Sequence, residues 1–206
     1  MKRLYLSGTP YLRAALLLLF SATLAQNPAR AESDDWYPAS IAMPGGLNYP
    51  CALTALPRNT PGIPKEDSKY INHVYAMILK CVQAKTAMLA SLQSSSPTEG
   101  KRAYARYYFD TSQAAAKIRS EPTPNGLETF RNQVLQAINL QVAFFNKAKE
   151  QRGAGKSVQE IMSIPEGQQA SGQLQAAWQQ MAARYPNWSS ETKDSIYHHL
   201  CAFDLF

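Results

Sequence analysis

The sequence predicts an all-α protein: a single up-and-down bundle of four to five main helices, with an irregular, proline-rich N-terminal arm packed on it. Three observations lead there. From Leu127 to Lys149, the apolar residues Leu127, Phe130, Val134, Ile138, Val142, Phe145 and Ala148 recur every three or four positions. At about 100° per residue that spacing draws one stripe along an α-helix. The composition is rich in Ala, Gln and Leu and poor in β-branched runs, which favours helices. Proline clusters and N-terminal capping signatures divide the chain into helix-sized pieces.

The first residues read as a secretory signal. Lys2, Arg3 and Arg13 supply its positive region, and Ala14 to Ala22 (AALLLLFSA) its apolar run. Nine residues are too few to span a bilayer, which needs about 20. Small residues at Thr23 and Ala25 place cleavage after Ala25, with Ala31 as the alternative. No later run is long and apolar enough to cross a membrane. The expected location is therefore outside the cytoplasm, periplasmic or secreted. Removing residues 1–25 takes away three positive groups and no acidic one, so the net charge falls from +6 to +3. A nearly neutral mature chain argues against nucleic acid as a partner.

Residues 26–65 carry Pro38, Pro44, Pro50, Pro57, Pro61 and Pro64, too many for a helix or a central strand. Trp36, Tyr37, Ile41, Tyr49, Leu53 and Leu56 make this arm apolar enough to pack. Residues 66–206 form the bundle. The first long helix is expected from Pro64 to about Gln93, with Glu66 and Asp67 complementing its positive end. Its stripe is Ile71, Val74, Tyr75, Ile78, Cys81, Val82, Leu89 and Leu92, with Met77 and Met88 at the margin. Lys85 interrupts the stripe, and its stem is expected along the surface with the charge in water.

Ser96-Pro97-Thr98-Glu99 has the form of a capping box and opens a second helix to about Arg119. Tyr104, Tyr107, Tyr108, Thr111, Ala115 and Ile118 form its inner stripe. Glu121-Pro122-Thr123-Pro124 ends it, and Asn125 with Glu128 signals the next start. The Leu127–Lys149 helix follows, with Leu135, Leu140 and Phe144 off or beside its stripe, which predicts neighbours on several sides and a place in the middle of the bundle. Ser157 and Glu160 cap a short helix. Ser163, Pro165 and Glu166 start another that turns Leu174, Ala177, Trp178 and Met181 inward and ends at Pro186. Ser189 or Ser190 caps the last helix, which carries Ile196, Leu200 and Phe203.

The mature chain has three cysteines, which in an oxidising compartment suggests one disulfide. Cys51–Cys201 would tether both ends and, on the chain-entropy model, contribute about 5 kcal/mol at most. Cys51–Cys81 is the alternative.

Few residues suggest chemistry. Arg152-Gly153-Ala154-Gly155-Lys156-Ser157 resembles the end of a phosphate-binding loop, but Glu150 stands where that loop needs glycine and a helix stands where it needs a strand. It reads instead as a glycine helix stop followed by a serine cap. Asp194, His198 and Cys201 share one helix face at i, i+4 and i+7, and all three types can bind zinc. His73 is a remote fourth candidate. One helix face supplies two or three ligands and nothing else completes the set, so no metal, cofactor or catalytic group is assigned. The patterns of zinc proteases, redox dithiols, haem attachment, serine hydrolases and di-iron bundles are absent.

Basic residues cluster at Lys147, Lys149, Arg152 and Lys156 and again at Lys101, Arg102 and Arg106. The expected function is non-catalytic protein–protein binding. The candidate surfaces are the aromatic arm at Trp36, Tyr37 and Tyr49 and a glutamine-rich face including Gln169, Gln173 and Gln180. A small-ligand or metal-binding bundle, or an enzyme using Asp194 and His198, is the alternative.

Overall fold

The computed structural model describes Leu53, residues 55–92 and residues 97–204. Among them lie six helices and no strand: α1 (Lys65–Leu92), α2 (Pro97–Ser120), α3 (Glu128–Gly153), α4 (Val158–Met162), α5 (Pro165–Arg184) and α6 (Ser190–Phe203). All belong to one compact unit, Trp36–Phe206. None is long and apolar enough to cross a membrane.

The five long helices run alternately up and down. Asp67, at the start of α1, meets Arg184, at the end of α5, while Lys85, near the end of α1, meets Phe203, at the end of α6. Each long helix packs on its successor, and α6 returns to α1, so the ring closes. Inside it, Ile71, Val74, Ile78, Ile118, Phe130, Val134, Met181, Ile196 and Phe203 form one apolar core. A smaller cluster of Met88, Tyr107, Phe144, Phe145 and Ile164 fills the end where α3 and α5 meet. Tyr107 and Phe145 pack edge to face there, centroids 5.2 Å apart.

The most enclosed helix is α1 rather than α3. Every residue from His73 to Leu79 is buried, whereas no more than two successive residues of α3 are. The end of the arm adds to its packing. Leu56 is buried in the same apolar core as Ile71, Val74 and Ile78. Its N–H donates to Asn72 Oδ1 and its carbonyl accepts from Asn72 Nδ2, both over 2.8 Å. The rest of the arm, with Trp36, Tyr37, Tyr49 and Cys51, lies outside the described residues.

Local signals set most boundaries. Ser157 accepts from the Glu160 N–H while the Glu160 carboxylate accepts from the Ser157 N–H, a complete capping box. Just before it, Gly155 takes φ +77°, and the N–H groups of Ala154, Gly155 and Lys156 close onto the last carbonyls of α3. Ser189 caps α6 through the Thr192 N–H. Two expected caps differ. Leu127, not Asn125, occupies the cap of α3, and the Glu128 carboxylate instead accepts from the Gly126 N–H over 2.7 Å. Ile164 precedes α5 without a side-chain cap, and Pro165 provides the start. Ser96 lies outside the described residues.

Three side chains sit elsewhere than their stripe suggested. Tyr108 is 52% exposed and Ala114 takes its place inside, because Tyr107, Thr111, Ala114 and Ile118 lie closer together around the helix. Leu89 is exposed as well. Lys85 is buried, its ammonium on carbonyl oxygens rather than in water. Thr111 bonds the carbonyl one turn back, Tyr107 O, at 2.7 Å, which explains a hydroxyl inside the stripe.

Asp67 does more than complement a helix end. It is buried, and its Oδ2 accepts from the Tyr185 hydroxyl at 2.6 Å and from Arg184 Nη2 at 3.0 Å. Arg184 also donates to Asn125 O and to the Tyr185 hydroxyl. One carboxylate thus joins the start of α1, the end of α5 and the turn between α2 and α3.

Candidate functional site

The α1–α2 hairpin packs its inner stripes against the ring and leaves an open groove between the two helices on its outer side. The groove encloses about 630 Å³. On α1 it is lined at Met77, Lys80, Gln83, Ala84, Ala87 and Met88, and on α2 at Ala103, Arg106, Phe109, Asp110, Gln113, Ala114 and Lys117. These positions recur at three and four residues on both helices, so each helix carries a second face beside its core face. Alanines let the two backbones approach and make the floor shallow. From Met77 to Met88, α1 extends the groove over about 17 Å at 1.5 Å per residue.

One large apolar side chain stands open in it. Phe109, within the groove, is 56% exposed; Tyr108 and Leu89, also exposed, lie on the opposite sides of their helices. The groove's net charge is positive. Asp110 is held by its neighbour Arg106 through a 2.7 Å ion pair at i, i+4. Lys80 and Lys117 are exposed and form no ion pair with any described residue. Both act electrostatically on His73, which places them at the same end of the groove. The helix α2 carries Lys101, Arg102, Arg106, Lys117 and Arg119 against Glu99 and Asp110. The basic cluster at the end of α3 is different, since most of it has partners. Lys147 meets Glu166, Lys156 meets Glu160 at 2.8 Å, and Lys149 lies over the Tyr104 ring at 4.8 Å.

The sequence candidates are scattered. Asp194 and Cys201 are exposed on α6, and His198 is half-buried with its ring against Tyr197. His73 is buried on α1 beside the end of α2, where burial lowers its pKa and Glu121 partly opposes that. Among the described residues no three His, Cys, Asp or Glu side chains are grouped as an ion would need. Cys81 is buried, with its thiol pushed up to about 12 by burial, and it is not bonded to Cys201. On the glutamine face Gln169 is exposed, while Gln173 and Gln180 are half-buried. Beside that face, Trp178 stacks on Trp188 at 5.4 Å and meets Tyr197 edge-on at 5.5 Å.

The other histidine of the last helix, His199, is fully buried. Its ring stacks on Tyr75, centroids 4.0 Å apart and 6° from parallel, and its Nδ1 donates to Ser195 O at 2.6 Å. Burial, with a backbone bond opposing it, holds this imidazole neutral, its pKa lowered to about 4.

Sequence reasoning passed over Lys80, Phe109 and Lys117. A signal was present: Met77, Ala84 and Met88 recur at helical spacing beside the main stripe, and Phe109 sits on an otherwise polar face. Such a face turns into a groove only when a second helix lies alongside. No protein-family model matches the chain, and no curated protein or solved structure matches it either.

Proposed function

We propose that this chain is an exported helical protein that acts by binding another protein, and that the α1–α2 groove is where it does so. The observation that carries the reading is the open groove, apolar along Met77, Ala84, Ala87, Met88 and Ala103, with Phe109 exposed within it beside Lys80 and Lys117. Contiguous exposed apolar side chains rimmed by charge are characteristic of interaction surfaces. A small-molecule site ordinarily buries most of its ligand, and a shallow groove whose main aromatic residue is more than half in solvent does not. Export rests on the apolar run at Ala14–Ala22 followed by cleavage after Ala25. In that compartment Cys201, exposed on α6, is available to pair with Cys51.

The test places a photoreactive residue at the groove, Phe109→p-benzoylphenylalanine, in protein expressed in its native host. A partner crosslinked there, and not from the same residue at Gln169, supports the reading. Crosslinking from neither position, together with no copurifying protein, removes it. Sequencing the N-terminus of the mature protein and non-reducing peptide mapping test export and the Cys51–Cys201 bridge on the same sample.

A further inference from the structure

We infer that the α1–α2 groove takes an amphipathic helix of the partner, one whose apolar ridge is flanked by acidic residues. This rests on the groove being a protein-binding site and adds the chemistry of its occupant.

The shape argues for a helix. Two antiparallel helices with alanines between them leave a trough, and a third helix laid in it would complete a local three-helix layer. The lining repeats at three and four residues on both walls, matching the ridge spacing of a helix rather than the two-residue alternation of a strand. The described part of the groove accepts about three turns. Binding through anchors at i, i+4 and i+7 is the recurrent way in which a groove of this kind is filled.

The charge argues for acid. Among the described residues the only carboxylate in the lining, Asp110, is engaged by Arg106. Lys80 and Lys117, one from each wall, have no ion pair among the described residues. Glu121 stands beyond Lys117, near His73, and moderates the field at that end. A lysine-rich occupant would meet like charge from both walls at that end, which disfavours it, whereas Glu or Asp beside the ridge would meet Lys80 and Lys117.

The experiment uses the mature full chain and fluorescence anisotropy of labelled synthetic helices. One peptide has leucines at i, i+4, i+7 and i+11 flanked by glutamates; a second replaces the glutamates by lysines; a third scrambles the first. The acidic helix is expected to saturate, to bind at least about tenfold more tightly than the lysine helix, and to weaken with added salt. Lys80→Glu with Lys117→Glu should reverse the order of the two peptides. Phe109→Ser, at an exposed position, should weaken both while circular dichroism stays unchanged. No saturation by any helix up to about 1 mM overturns the inference. So does equal binding of acidic and scrambled peptides, or saturation by oleate vesicles alone. If a partner crosslinks at position 109 while the acidic helix fails, the binding reading stands and the acidic-helix inference falls. If neither is seen, both fall.

Discussion

The Lys85 ammonium donates to the carbonyl oxygen of Phe203 over 2.8 Å and to that of Asp204 over 3.0 Å. The end of a helix leaves its last carbonyls without partners and carries partial negative charge. Here a lysine of α1 answers two groups at the end of α6. Gln141 of α3 adds an amide donor to Phe203 O, and Ser171 of α5 donates to the Asp204 carboxylate. Three helices therefore hold the end of a fourth. Burial lowers the Lys85 pKa to about 8, with the Asp204 charge pulling the other way.

Replacing Lys85 by alanine orphans these carbonyls and opens a cavity. We expect a loss of about 3 kcal/mol, read as a lower urea midpoint at unchanged slope. Lys85→Met keeps most of the volume and removes the cost of burying a charge, so its loss should be under half as large. Equal losses in the two variants would contradict this account.

The same lysine makes stability depend on pH. Its folded pKa of about 8 lies below the ordinary 10.5, so between these values the unfolded chain binds more protons. Stability from this group therefore rises with pH across that window. The Cys81 thiol, pushed up to about 12 from 9.0, works against it above pH 9. Lys85→Met retains Cys81 and isolates the lysine. Wild type should gain about 2 kcal/mol on this variant between about pH 7.5 and 9.5.

On the acid side His199 dominates. Its pKa is about 4 folded against 6.5, lowered first by burial and then by His198, with the bond to Ser195 opposing. Its contribution is complete above pH 6.5 and is lost as pH falls through about 4. The loss should reach about 3 kcal/mol, to which His73, lowered in the same direction, adds. His199→Phe keeps a ring against Tyr75 and should flatten most of the acid limb in denaturation curves taken from about pH 7 to 4.

The Asp67 junction predicts coupling between distant positions. Asp67→Ala leaves the buried Tyr185 hydroxyl and Arg184 without their shared acceptor and should cost about 3 kcal/mol. Tyr185→Phe alone should cost about 1 kcal/mol. The double variant should fall short of the two losses combined by about 1 kcal/mol; strict additivity would mean the bond carries no stability.

Two glycines separate backbone strain from crowding. Gly126 and Gly155 both have positive φ, +85° and +77°. A Cβ at Gly155 meets nothing within 4 Å, whereas one at Gly126 falls 2.2 Å from Arg184 Nη1. Gly155→Ala should cost about 1 kcal/mol from strain alone. Gly126→Ala should cost about 1 kcal/mol more, since Arg184 must give up its place. In an Arg184→Ala background that difference should vanish.

Periodicity and punctuation determined the helices. The spacing of Ile71, Val74, Ile78 and Val82, the Ser157–Glu160 box and Pro186 are local facts, because an α-helix closes its hydrogen bonds within four residues and shows its buried face every three or four. What each charged or polar side chain meets is not local. Lys85 read as a snorkelling surface residue and Asp67 as a helix-end complement; their partners, Phe203 and Arg184, lie more than a hundred residues away. Nor does a stripe on one helix disclose what covers its second face. Met77 and Met88 belonged to a margin until α2 lay beside α1 and made that margin the wall of a groove. Helix content follows from bonds between near neighbours, whereas the groove and the buried lysine exist only because separate helices converge.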